Sequence, residues 1–208
     1  MRWNISKMMK FMPALLLAFL GGFPSSAGAE SPTQALRQTQ ARIQKLLRQK
    51  AASGSPAEKK LKKEIQKAVN RLLDFNELAK LSLGKHWQER NGKERGEFAT
   101  ILKDLIERNY VKQLSSNLGY KIEYRQEKIA GETALVKTAV KVQKNDRVTE
   151  ILIDYKMRQN EGIWMVYDVI TDEVSIVDNY RSQFNRIIRK ESYEALVKKM
   201  RRKLEETS

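Results

Sequence analysis

Three side chains could do acid–base work from an apolar setting: His86, Asp154 and Asp168. His86 is the sole imidazole. It sits in Gly84-Lys85-His86-Trp87, between two helical segments, and reads as an ordinary surface or half-buried residue. Asp154 alternates with Ile153 and Tyr155, so it points away from their face. Asp168 lies between Tyr167 and Val169 in an apolar strand. A partly buried carboxylate there could be a general acid or base, but is more often a satisfied structural group. The chain has no Cys, which removes thiolate metal sites, disulfides and Cys nucleophiles. One His cannot supply two imidazole ligands. There is no G-x-S-x-G elbow, no phosphate-binding Gly loop and no H-E-x-x-H. No catalytic or metal-binding residue and no cofactor is expected, so the reading turns to binding. The alternative kept open is an enzyme of isomerase or hydrolase type, with one of these groups pointing into a pocket.

What could be bound is narrowed by charge and by the N-terminus. The 208 residues carry 40 Lys+Arg against 25 Asp+Glu, a formal net charge of +15, which calls for a polyanionic surface. Nucleic acid and anionic membrane are the two candidates. Arg2, Lys7 and Lys10 precede an apolar run from Phe11 to Leu20; Gly21, Gly22 and Pro24 follow, and Ala27-Gly28-Ala29 fits a small-x-small cleavage pattern. This is the layout of a secretory signal peptide, expected to occupy residues 1–29 and be removed. The run is too short for a membrane span. An exported chain does not meet DNA, so no nucleic-acid partner is expected, and a Cys-free exported chain suits a bacterial periplasm. The basic residues gather in two places. From Arg37 to Lys67 the net charge is +8, and from Arg181 to Lys203 it is +7, while Ala68 to Tyr180 is balanced. These regions could converge into one docking surface, represented by Lys59, Lys60, Lys62, Lys63, Lys198, Lys199, Arg201 and Arg202.

The elements that carry these groups follow from periodicity. Ser31-Pro32 and Ser55-Pro56 each pair an N-cap with Pro at the first helical position, and Glu58 completes a capping box with Ser55. Leu36, Ile43 and Leu47 share one side of the first helix; Leu61, Ile65, Ala68 and Leu72 share one side of the second. A short helical stretch covers 75–87. Phe98, Leu102, Leu105, Ile106, Tyr110 and Leu114 make a wide stripe on a long helix, 94–116. From Tyr120 the period falls to 2, predicting strands near 121–129, 132–143, 147–157 and 162–171 with short turns between them, hence an antiparallel meander. Helices near 176–189 and 192–206 close the chain. The expectation is one α+β domain over 30–208: N-terminal helices, a four-stranded curved antiparallel sheet and C-terminal helices, cone-like and enclosing an apolar cavity.

Several strings then look familiar. Phe98 through Tyr110, Gly162-x-Trp164-x-Val166-Tyr167-Asp168-Val169, and Val174-Ser175-x-x-x-Asn179-Tyr180-Arg181-Ser182-Gln183-Phe184 resemble the Mla-type periplasmic phospholipid-carrier family, also called toluene-tolerance or ABC-transporter auxiliary proteins. Leu83-Gly84-x-x-Trp87 fits its earlier helical region. One departure stands out: the family pattern has a Gly before the Val-Ser pair, where this chain has Glu173. The resemblance implies a nuclear-transport-factor-like cone and a non-enzymatic carrier with phospholipid as cargo. It implies partners in an outer-membrane lipoprotein complex and in an inner-membrane MCE-domain protein of an ABC transporter. Similar proteins associated with hopanoid lipids leave that cargo as an alternative. The expected tail-lining residues are Trp87, Phe98, Leu102, Leu105, Tyr110, Ile151, Ile153, Tyr155, Val166, Val174, Ile176 and Phe184.

Overall fold

The computed structural model describes residues 30–49, 51–52, 54–114, 121–144 and 147–206. The expected signal peptide lies outside the described residues, and so does the side chain of Tyr110. The first two helices, α1 (Pro32–Leu47) and α2 (Pro56–Leu72), start where their caps predict. Ser31 Oγ accepts from the Gln34 amide at 3.2 Å, and Gln34 Oε1 accepts from the Ser31 amide at 3.0 Å, a complete capping box. The box expected at α2 is shifted by one residue. Ser55 Oγ takes the Glu58 amide at 3.1 Å, but the Glu58 carboxylate takes the amide of Gly54, not that of Ser55, at 2.7 Å.

A short helix α3 (Phe75–Leu83) runs into a 3₁₀ turn (Gly84–Trp87), and a long helix α4 (Gly92–Leu114) follows. Asn91 and Glu94 cap α4 reciprocally at 2.8 and 2.9 Å. The sheet contains β1 (Lys121–Ala130), β2 (Thr133–Lys144), β3 (Arg147–Asn160) and β4 (Ile163–Thr171), with a two-residue β5 (Val174–Ser175) that the alternation was too short to reveal. All neighbours are antiparallel and the spatial order equals the chain order. Two helices, α5 (Ile176–Lys190) and α6 (Tyr193–Glu206), end the chain.

Alternation gives the sheet one buried inner face. Val136, Val140, Ile153, Tyr155, Met157, Trp164 and Val166 are all buried there, and helices cover them. The register of β3 and β4 slips between Lys156 and Met157, which pair with Asp168 and Val166 and leave Tyr167 extra. This bulge resets the alternation. Without it Asp168 would follow Trp164 and Val166 inward; with it Asp168 lies on the outer face beside Lys156 and Val169 turns inward.

The helices approach the sheet unequally. The backbones of α1, α2, α3 and α5 come close to strands, whereas α4 has its nearest backbone neighbours in α2, α3 and α6. α4 therefore packs chiefly on the other helices. No helix among the described residues is long and apolar enough to cross a membrane.

Candidate functional site

The groups considered for acid–base work do not meet. Asp154 is on the outer face, 3.7 Å from Lys137 Nζ. Asp168 is 2% exposed, yet fully employed. Its carboxylate accepts from the Ser175 hydroxyl at 2.7 Å and from the Val177 amide at 3.1 Å, and Lys156 lies 3.4 Å away. Ser175 Oγ in turn accepts the Asp178 amide and caps α5. Asp168 thus fastens the first turn of α5 to the sheet, where a carboxylate also complements the helix dipole. His86 is buried between the 3₁₀ turn and α5, with Glu89 at 3.3 Å from Nδ1 and Asn185 at 3.0 Å from Nε2. None of the three reaches the inner face of the sheet.

The residues expected to line a tail site fall into two groups and a few outliers. Leu102 and Leu105 on α4, and Ile153, Tyr155 and Val166 on the inner face of the sheet, are all buried in one continuous apolar layer, with Ile151 half-buried beside it. Phe98 and Phe184 belong to the same core but also to an aromatic cluster: they meet edge to face at 5.5 Å, with Tyr180 stacked on Phe184 at 5.3 Å and Tyr193 6.4 Å from Phe98. That cluster binds α4 to α5 and α6 and reads as frame. Ile176 and Trp87 pack at the edge of the core, with the Arg95 guanidinium 5.4 Å from the Trp87 ring. Val174 is a correction: it stands 55% exposed, because β5 is two residues long and lies at the open edge of the sheet with nothing beyond it to cover the side chain.

Sequence reasoning missed a polar group inside the apolar layer. Gln40 and Gln44 are buried on the face of α1 that also carries Leu36 and Ile43. The Tyr124 hydroxyl of β1 donates to Gln40 Oε1, and the Arg37 guanidinium covers the Tyr124 ring at 4.0 Å from its centroid. Burial holds the phenols of Tyr124 and Tyr155 well above the ordinary tyrosine range. Helical spacing places positions 40 and 44 beside 36, 43 and 47, but that alone does not bury a Gln.

The basic residues lie on two helices that both border α4, at different places along it. Gln66 of α2 hydrogen-bonds Glu107 and the end of α6 meets Arg108 through the Leu204 carbonyl, both in the C-terminal half of α4, whereas Arg201 of α6 lies against Glu97 near its start. Lys59, Lys60, Lys62 and Lys63 are exposed on α2, and only Lys62 is paired, with Glu58 at 2.7 Å. On α6, Lys199 pairs with Glu191, Arg201 with Glu97 at 2.8 Å and Arg202 with Glu206 at 3.3 Å. Lys198, Arg201 and Arg202 also share an open groove of about 600 Å³ with Glu94, Glu97, Glu194 and Glu205. The positive field is therefore concentrated on α2.

The comparisons with known proteins agree with this architecture. A phospholipid-binding protein from Ralstonia solanacearum, solved in complex with a phospholipid at 1.53 Å, superposes with a TM-score of 0.69 over 87% of this chain and 99% of its own, at 17% sequence identity. At that identity the likeness establishes the fold. The intermembrane phospholipid transport system binding protein MlaC of Haemophilus influenzae is 27% identical over 120 residues, which is 57% of this chain and 56% of that relative. The chain thus matches little more than half the length of this curated relative. Residues 37–202 match the family described as MlaC protein, from the first helix to the last, and the chain belongs to that family.

Proposed function

We propose that this protein is a periplasmic phospholipid carrier that holds its cargo by the acyl tails between α4 and the inner face of the sheet. It shuttles that cargo between an outer-membrane lipoprotein complex and an inner-membrane ABC transport system with an MCE-domain protein. The observation that carries the reading is that Leu102 and Leu105 of α4, and Ile153, Tyr155 and Val166 on the inner face of the sheet, are buried in one apolar core while α4 itself has its nearest backbone neighbours in other helices. The names of the two relatives support the cargo class, and the N-terminal layout supports export.

The energetics suit a shuttle. Burying one CH₂ is worth about 0.8 kcal/mol, so two acyl chains of about sixteen carbons gain on the order of 25 kcal/mol relative to water. The lipid starts in a bilayer, not in water. A layer of Leu, Ile, Val and Tyr offers nearly the same solvation, so transfer is close to neutral and release remains possible. Acid–base groups that are spent on structure, as Asp168 and Asp154 are, fit a protein that moves its cargo unchanged.

Native mass spectrometry of protein purified without detergent tests this reading. The expected result is diacyl lipid near one molecule per chain, identified after organic extraction. Repeated preparations free of lipid would overturn the reading, and a hopanoid in place of diacyl lipid would change its cargo.

A further inference from the structure

Gln40 is 1% exposed, on the face of α1 turned to the sheet. Its Oε1 accepts from Tyr124, but its Nε2 is buried with no hydrogen-bond partner. Turned over, the amide would donate to the Tyr124 oxygen and leave its own carbonyl and the Tyr124 hydroxyl hydrogen without partners, so the Gln40–Tyr124 pair holds a spare donor either way. A buried amide end without a partner destabilises the fold. At this position a Leu would continue the apolar side of α1 made by Leu36, Ile43 and Leu47.

The neighbouring polar groups on the inner face are satisfied. Tyr124, Thr138 and Ile153 stand in one row across β1, β2 and β3. The Thr138 hydroxyl donates to the Ile153 carbonyl at 2.8 Å, and the Tyr155 hydroxyl hydrogen-bonds Thr138. Gln40, Tyr124, Thr138 and Tyr155 thus form a polar island in an otherwise apolar layer, adjoining Ile153, and the island holds one spare amide donor. An acceptor brought in by the cargo would satisfy it. A phosphate is a poor candidate, since an anion this deep needs a buried cation beside it. An ester carbonyl is uncharged, accepts hydrogen bonds, and lies at the junction of tail and headgroup.

We infer that Gln40, held by Tyr124, is the seat for an ester carbonyl of a glycerolipid cargo, and that it sets how deeply the acyl tails enter. This rests on the carrier reading above. The test compares delipidated protein binding to dipalmitoyl phosphatidylglycerol and to its dihexadecyl ether analogue, which has the same headgroup and tail length but no carbonyl. The parent is expected to favour the ester by roughly tenfold, the value of one hydrogen bond to an otherwise unpaired buried donor. Gln40→Met keeps length and removes the donor; it should bring that ratio close to one and leave the affinity for the ether analogue unchanged. Equal affinity of the parent for ester and ether overturns the inference even if the variant does not fold. A Gln40→Met protein that keeps the parent's preference overturns it too. A parent that binds neither lipid instead overturns the carrier reading on which it rests.

Discussion

The Asp172–Glu173 turn shows how far one side chain can be read from its neighbours. Joining β4 to β5, it holds Asp172 at φ 46° and Glu173 at φ 69°. Two successive positive φ values define the hairpin turn that favours Asn-Gly or Asp-Gly. The β3–β4 turn has the same form, with Glu161 at φ 50° and Gly162 at φ 80°. Glycine at the second position costs nothing there, whereas Glu173 carries a Cβ into the left-handed region, at about 1–2 kcal/mol. Glu173→Gly should therefore raise stability by about 1 kcal/mol, or about 2–4 °C in Tm, without changing bound lipid. A melting curve at or below the parent's would show that the position is unstrained. The departure of this residue from the family pattern was visible in the sequence. The structural role of Asp168 was legible, but its outward turn was not, because the bulge at Tyr167 leaves no mark in the alternation. Gln40 was missed for a different reason: a Gln among apolar residues on a helix is as easily a solvated residue as a buried one.

Among the elements, α4 and the sheet pose the main question. Adding volume to a packed interior costs about 1–3 kcal/mol, whereas adding it where acyl chains lie fills space the cargo would take. Leu105 on α4 and Ile153 on β3 are the positions proposed to face the tails, while Ile65 of α2 is a buried core position of a helix that packs on α1 and β4. For delipidated protein, Leu105→Trp and Ile153→Trp should melt close to the parent and bind much less lipid. Ile65→Trp should melt lower and keep its lipid per folded molecule. Delipidated samples are essential, because bound lipid stabilises the parent by mass action. Should the first two variants melt far below the parent and still carry normal lipid, the tails lie elsewhere. Helices and strands were legible from periodicity within a few residues. What each residue of a stripe packs against was not: Phe98 and Leu102 share one stripe on α4, and the structure alone shows Phe98 in an aromatic junction with α5 and α6. Spacing along a helix fixes a face, and the crossing of neighbouring helices decides what lies opposite each turn of it.

For the molecule as a whole, charge and topology act at different stages. Of the basic residues expected to dock, those of α2 carry the fewer ion pairs, so a docking surface would draw mainly on them. Each cation near an anionic membrane contributes about 1 kcal/mol, screened within a Debye length. Reversing Lys59, Lys60, Lys62 and Lys63 to Glu should abolish most binding to anionic vesicles at low salt and leave lipid content unchanged. Binding indifferent to salt and to reversal would make these lysines an ordinary solvated face. The order of the strands has a consequence for how the chain reaches this shape. Each strand pairs with its sequence neighbour, and the clasp of α5 on β4 joins residues only 7 and 9 positions apart. By contrast, the Thr33 amide of α1 reaches Glu127 across 94 residues. Local closures are entropically cheap and fast, and distant ones are slow. The meander with α5 should then form as an early unit, and α1 should dock last and open first. Native-state hydrogen exchange would show this as α1 amides opening well below the global unfolding free energy while β2 and β3 exchange only by global unfolding. Uniform protection of all three would mean that the helix is an early partner of the sheet. If α1 does open first, the last piece to close the molecule is the helix that carries Gln40.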